Sequence, residues 1–465
     1  MARGKKKGSA LTSEEKLAQA LVPVEEQPYQ VPGNWCWLRL ETVASLYNGD
    51  RGANYPSKKD YVDVGIPFIN AGAIQNNALD DSEFNYITEQ KYESLRAGKI
   101  QKGDILYCLR GSLGKTAIVE TDIIGAISSS LCILRGNKAI LRKYFAYLLQ
   151  SDVIRKQQDN AENGSAQPNL SAASVLKYML PIPSLPEQQR IVDRIEYLFA
   201  KLDEAKEKAQ SVLDSFETSK AAILHKAFTG ELTSKWRAEH AVEKSSWVVK
   251  KVGEFAEVKG GKRLPKGHVL ITEKTDHPYL RIADFGENTI DQSDLHYITD
   301  ETYAEISRYI ITSEDVYLSI VGSIGKTGVI PKELDGANLT ENAARIISQS
   351  TLPKYLCAYL SSPITQDDIQ GRIRSATLGK LSLLNIKDIS VPIPTKEEQA
   401  EIVRILDSLF AKEQQAKEAA EAVLEKIDLL KKSILARAFR GELGTNDPTE
   451  ESALELLKEI LKGDI

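Results

Sequence analysis

Two long stretches of the chain carry the spacing of amphipathic helices, and the two stretches before them carry the alternation of short strands. Between Pro186 and Gly230, and again between Thr395 and Arg440, no Gly or Pro interrupts the pattern. That length exceeds an ordinary globular helix and suggests a coiled coil. In the second stretch Val423, Ile427, Leu430 and Ile434 follow a 4-3-4 spacing, matched in the first by Val212, Phe216, Ser219 and Ile223. The spacing predicts one apolar seam on each helix. Unbroken, each would span ~60 Å at a rise of about 1.5 Å per residue. Pro183, Pro186 and Pro394 mark the starts, and Gly230 and Gly441 the stops, as these residues do at helix ends. Residues 31–184 and 247–394 read differently, with short Ile-, Val-, Thr- and Tyr-rich runs broken by Gly, Asp and Asn. Residues 105–109 and 316–320 are expected strands, and 144–149 and 355–360 expected helices, which makes both parts mixed α/β or α+β.

The pattern recurs because the chain is internally duplicated. Shifted by 211 residues, Tyr86-Ile87-Thr88 returns as Tyr297-Ile298-Thr299, and the Gly-Ser-x-Gly-Lys-Thr run at 111–116 returns at 322–327. Pro181-Ile182-Pro183 returns as Pro392-Ile393-Pro394, followed in both copies by Glu-Gln (Glu187-Gln188 and Glu398-Gln399). Leu198 to Lys201 returns unchanged as Leu409 to Lys412, and residues 223–232 return at 434–443 with seven of ten positions identical. One offset for every landmark excludes chance and sets the organisation. An N-terminal arm with a short helix (1–30) precedes a first globular domain (31–184) and a first spacer helix (185–232). A linker (233–246) leads to a second globular domain (247–394), a second spacer helix (395–443) and a tail helix (444–465). The expected architecture is α+β, with two globular domains separated by two long antiparallel coiled-coil helices in a pseudo-twofold arrangement. The simpler alternative is that each helix caps its own domain.

Composition narrows the function. The four cysteines (Cys36, Cys108, Cys132, Cys357) are scattered, and the five histidines lie at no metal-ligand spacing, which argues against a disulfide scaffold and a zinc site. No apolar run approaches the ~20 residues that cross a bilayer. The basic N-terminus leads into an expected helix at 11–22, opened by Thr12 and Glu15 as a capping box, so a cytoplasmic location is expected. Net charge is −5, with 17 basic against 15 acidic residues in 31–184, 17 against 19 in 247–394, and 11 against 16 in 395–465. No segment is basic enough to hold DNA unaided, so a DNA reader of this composition needs local basic strips, a partner that supplies charge, or both.

Catalytic motifs fail on spacing. A phosphate-wrapping loop needs Gly five residues before the Gly of Gly-Lys-Thr, but those positions hold Leu109 and Ile320. A tight inter-strand turn with an exposed Lys is the better reading. Carboxylate-x-lysine triplets such as Glu89-Gln90-Lys91 and Glu257-Val258-Lys259 are expected by chance at 27% charged residues, and the repeat carries Asp300-Glu301-Thr302 where the first copy has Glu89-Gln90-Lys91. The chain reads as non-catalytic.

The ordered set of landmarks resembles the specificity subunits of type I restriction–modification systems. Each domain opens on a Pro-Gly-x-Trp-like segment (Pro32-Gly33-Asn34-Trp35, more loosely Ser246-Trp247) and closes through a Ser-rich loop (164–171 and 375–382) into Pro-Ile-Pro, Glu-Gln and Ile-Val. The helices then end in Ala-Phe-x-Gly-Glu-Leu. The resemblance covers nearly the whole chain. It implies that each domain reads one half of a bipartite double-stranded DNA target, while the helices set the gap and dock two methyltransferase subunits. Restriction and translocase subunits would complete the complex, and S-adenosylmethionine, ATP and Mg would sit on those partners. A duplicated coiled-coil adaptor that binds only proteins is the competing class. Base and phosphate readout favours Arg, Lys, Asn and Gln. The candidates are Arg51, Lys58, Lys59, Arg110, Lys115, Gln167 and Asn169 in the first domain, and Lys259, Lys262, Arg263, Lys266, Lys326 and Lys380 in the second. The paired Lys115 and Lys326 suit phosphate, and the differing Asn169 and Lys380 suit sequence reading.

Overall fold

Short β-branched and aromatic runs pair as the alternation predicts, and each globular domain holds two four-stranded sheets and a two-stranded ladder that joins its first and last strands. The computed structural model describes residues 13–161, 169–374 and 379–462. The chain divides into two compact units, one formed by 1–208 with 423–465 and the other by 209–422.

In the first unit, the central sheet runs in the order Ala44–Asn48, Leu131–Gly136, Ile105–Cys108, Thr116–Ile118, with every pair antiparallel. A second sheet joins Ala126–Ile127, Ile66–Ile69, Asn85–Ile87 and Tyr61–Val62. A two-stranded ladder pairs Cys36–Arg39 with Met179–Ile182 in the register Cys36 to Ile182 and Trp37 to Pro181. The second unit repeats the central sheet and the ladder, while its other sheet takes Ile310–Ile311 as an edge strand in place of the counterpart of Tyr61–Val62. Its central sheet runs Ala256–Gly260, Ala343–Ser348, Asp315–Ser319, Thr327–Val329, and Val248–Lys251 pairs with Ser390–Ile393. The expected helices are Arg142–Leu149 and Pro353–Leu360. The repeated Pro-Ile-Pro has a physical reason: proline lacks a ladder donor and is tolerated in a two-stranded edge. The freed geometry is used, because Tyr144 Oη donates to the Pro181 carbonyl and Tyr355 Oη to that of Pro392, both at 2.6 Å.

The Gly- and Pro-free stretches are single helices, Leu185–Thr229 and Lys396–Ala438. Gly230 and Gly441 follow them at φ of 83° and 76°, the left-handed conformation that ends helices and favours glycine. The seam differs from the predicted one. Val423 and Leu430 are 38% and 47% exposed, and Val212 is 42% exposed. A row of buried and half-buried positions runs through Ala420, Leu424, Ile427, Lys431, Ile434 and Ala438, repeated 211 residues earlier as Ala209, Leu213, Phe216, Lys220, Ile223 and Ala227, with Leu435 and Leu224 buried beside it. This is still heptad spacing, but only Ile427, Ile434, Phe216 and Ile223 belong to it. Two lysines occupy seam positions, and apolarity alone therefore selected the wrong neighbours. Each lysine lies over an aromatic ring, Lys431 over Phe199 at 5.2 Å in one unit and Lys220 over Phe410 at 5.9 Å in the other. Such a contact lets the aliphatic stem pack while the ammonium faces a π-cloud.

Within each unit the globular domain is covered by the start of its own helix and the end of the other, running antiparallel. Ile191, Val192 and Ile195 share the first core with Leu435, Ala438 and Phe439. Leu224, Ala227 and Phe228 share the second with Ile402 and Leu406. The N-terminal helix is Ser13–Ala20, and the capping box expected at Thr12 lies outside the described residues. The tail helix Ala453–Lys462 packs on its own chain: Ala453 and Leu457 are buried in the first core beside Ala20. Arg190 pairs with Glu450 just before it at 2.7 Å. The stretch read as a linker contains a six-residue helix, Ser234–Glu239, with Arg237 buried in it.

Candidate nucleic-acid interface

The duplicated Gly-Ser-x-Gly-Lys run leaves the end of a fully buried strand in each domain, Ile105–Cys108 in one and Asp315–Ser319 in the other. It is the tight turn that the spacing predicted. Gly111 and Gly114 have φ of 81° and 76°, and Gly322 and Gly325 have 75° and 95°, which side chains rarely adopt. A Cβ on Gly114 would also collide with the Gln158 side chain, and one on Gly325 with that of Gln366. Cys108 N donates to Lys115 O at 2.9 Å, and Gly114 N to Cys108 O at 3.1 Å. Ser319 with Lys326, and Gly325 with Ser319, repeat both bonds at 2.8 and 3.1 Å. The returning segment is stitched to the turn as well, with Leu170 N donating to Leu109 O at 2.9 Å and Leu381 N to Ile320 O at 3.1 Å.

On this shared frame the candidate side chains separate. Lys115 Nζ donates to the Ile74 carbonyl at 3.3 Å, and Lys326 Nζ to that of Phe285 at 3.0 Å. Both lysines therefore brace the turn against the neighbouring layer. Arg110 is exposed, and its Nε donates to Asn169 Oδ1 at 3.1 Å. Their equivalents in the second domain are Val321 and an exposed Lys380. Gln167 lies outside the described residues. Arg51 is exposed on a loop, while Lys58 and Lys59 are exposed on the short 3-10 turn that leads into the edge strand Tyr61–Val62. They belong to another layer than the turn.

The strip that looked most basic is partly neutralised. Lys259 pairs with Glu257 at 2.9 Å and Arg263 with Glu341 at 2.7 Å. Lys262 sits over the Tyr309 ring at 5.6 Å. Lys266 is exposed, with no hydrogen bond or ion pair among the described residues. The strip's Gly261 is required, since a Cβ there would collide with the backbone carbonyls of Leu339 and Thr340.

A polar junction where each domain meets its helix is the part the sequence reading missed. Glu187, Gln188, Glu398 and Gln399 are each 0% exposed. Gln188 Oε1 accepts from Leu141 N, and Gln399 Oε1 from Leu352 N, both at 2.8 Å. Glu398 Oε2 accepts from Trp247 Nε1 at 2.8 Å, and its Oε1 from Thr233 Oγ1 and Arg237 Nη1, both at 2.6 Å. Glu187 Oε2 accepts from Trp35 Nε1 at 2.9 Å and from Asn446 Nδ2 at 2.8 Å. Its other oxygen is buried with no partner among the described residues. Burial pushes the Glu187 carboxyl up from its ordinary value, against the opposing hydrogen bonds from Asn446 and Trp35. One carboxylate thus ties together the domain's opening tryptophan, the start of one helix and the segment after the end of the other. The Glu-Gln repeat beside Pro-Ile-Pro was the signal for it. Arg237 had none, because position 448 in the repeat is Pro.

No helix among the described residues is long and apolar enough to cross a membrane. No group of His, Cys, Asp and Glu among them could hold a metal ion. A family model described as the type I restriction modification DNA specificity domain matches residues 32–213 and 244–426. The specificity subunit of the type I restriction enzyme EcoKI from Escherichia coli K12 is 27% identical over 433 residues, covering 89% of this chain and 90% of that protein. That of EcoBI from Escherichia coli is 24% identical, covering 88% and 86%. The crystal structure of the HsdS subunit from Thermoanaerobacter tengcongensis has the same fold, with a TM-score of 0.64 at 21% identity, over 90% of this chain and 100% of that one.

Proposed function

The chain belongs to the type I restriction modification DNA specificity family, and from that membership we propose that its two globular domains each read one half of a bipartite, asymmetric double-stranded DNA target. The observation that carries this reading is the shared turn: the same three backbone hydrogen bonds in both domains, flanked by side chains that differ, Arg110 and Asn169 against Val321 and Lys380. Two readers of different half-sites need a common scaffold and divergent contacts, since sequence is read by side chains at base edges. A duplicated adaptor that never touches DNA does not account for a DNA specificity match over both domains.

The near-neutral charge of both domains supports a division of labour in which partner subunits supply much of the phosphate neutralisation. We place two methyltransferase subunits on the long helices. Val212 and Val423, 211 residues apart, are both exposed on them, as are Leu429 and Leu430. Catalysis, S-adenosylmethionine, ATP and Mg then belong to methyltransferase and restriction/translocase subunits in the cytoplasm, and this chain chooses the site.

The test is methylome mapping in a host that carries the chain with its methyltransferase partner. Two half-sites separated by a fixed gap are expected, and a single contiguous target would overturn the reading. Adding one helical turn within both long helices should lengthen the gap and leave the half-sites unchanged.

A further inference from the structure

We infer that Arg110 is the guanine-reading side chain of the first recognition domain and that Asn169 is its positioning residue. The inference rests on the DNA-recognition reading above and assigns roles within it. Arg110 leaves the frame immediately before Gly111, on the exposed side of the turn. A flexible exposed arginine would lose much of its rotamer freedom on binding a base. This one is already held at one edge, because Nε donates to Asn169 Oδ1 at 3.1 Å while the two backbones form a bridge between the same residues.

The geometry leaves a specific edge of the guanidinium available. With Nε engaged, Nη1 and Nη2 have no partner among the described residues. Two parallel N–H donors match the O6 and N7 acceptors that guanine presents in the major groove, and no other base offers that pair. Asn169 is anchored in turn, one residue before Leu170, whose N–H is bonded to Leu109 O at 2.9 Å. Arginine and asparagine thus stand on two neighbouring segments of one stitched frame, joined by a single β-bridge. In the second domain that frame is retained but Val321 cannot donate, so the corresponding position there does not read guanine in this way.

The reconstituted complex with its methyltransferase partner tests the assignment, with methylation rates measured on duplexes carrying each base at every position of both half-sites. Wild type is expected to prefer guanine at one position of the first half-site. Arg110→Ala should reduce that preference by about 5- to 150-fold, the range for losing one bidentate base contact. It should leave preferences in the second half-site unchanged. Asn169→Ala should weaken the same preference less, and Asn169→Asp, which keeps the acceptor, should retain it. If Arg110→Ala instead weakens methylation uniformly over all sequences with a shallower salt dependence, Arg110 is a phosphate contact and the inference is overturned. An unchanged preference overturns it equally. A wild-type complex without any bipartite preference would reject the underlying DNA-recognition reading, an outcome separate from either result with the variants.

Discussion

Glu187 and Glu398 occupy equivalent positions, yet replacing each with glutamine should give very different results. Glu398 is 0% exposed in its side chain and faces Arg237, 10% exposed, at 2.6 Å. Both its oxygens are engaged, one by Arg237 and Thr233 and the other by Trp247. In Glu398→Gln the amide nitrogen meets a donor in either orientation, and the guanidinium loses its buried counter-charge. Breaking one partner of a buried ion pair costs about 3–5 kcal/mol. Glu187 has both donors, Trp35 and Asn446, on one oxygen, and its second oxygen has no partner among the described residues. Glu187→Gln can keep both bonds with its carbonyl oxygen, and it removes a charge that burial disfavours, so a change within about 1 kcal/mol is expected.

Hydrogen exchange of the full chain separates the two cases, since it reads local opening. Glu398→Gln should deprotect residues 230–247, while Glu187→Gln should leave 440–450 close to wild type. The sign of the pH effect follows from the raised carboxyl. The folded form holds its proton more tightly than the unfolded one, so wild type loses stability at Glu187 as pH rises from the ordinary carboxylate range through the raised value. Glu187→Gln lacks that loss, and its advantage over wild type should grow with pH across the same interval. Equal effects of the two substitutions, or a silent Glu398→Gln, would refute the reasoning.

Other expectations are separable. Ile427→Ala, at a position 3% exposed, should cost about 2–5 kcal/mol in thermal or denaturant unfolding. Leu430→Ala, 47% exposed, should stay within about 1 kcal/mol. A cost at Leu430 as large as that at Ile427 would return Leu430 to the seam, as the sequence spacing reads it. Gly114→Ala forces a side chain into a φ of 76° and against Gln158. It should destabilise by more than about 1 kcal/mol and abolish methylation of targets through the first half-site, measured against the intact second one. Lys115→Met, which keeps the stem but removes the bond to Ile74 O, should raise hydrogen exchange at 111–116; a change confined to salt dependence of DNA binding would instead make Lys115 a phosphate contact.

Much of this protein is legible in one dimension. Repetition at a single offset gives the duplication, the absence of Gly and Pro gives two helices of 45 and 43 residues, and residue types give the strands on either side of the Gly-Ser-x-Gly-Lys turn. These are local properties, fixed by backbone sterics and periodicity. The seam was read one step off at alternate positions because Lys220 and Lys431 reach it through their stems and rings of distant residues, which no hydropathy pattern reports. The basic strip at 259–263 reads as bare positive charge in the sequence, and only the fold brings Glu341, some eighty residues away, to Arg263. Arg110 and Asn169 were two separate candidates in the sequence and one unit in the fold. Sequence alone determines which segments fold and that they fold twice. Tertiary structure decides which polar groups are spent on holding that frame and which are left to meet a partner, because burial and pairing depend on residues far apart in the chain.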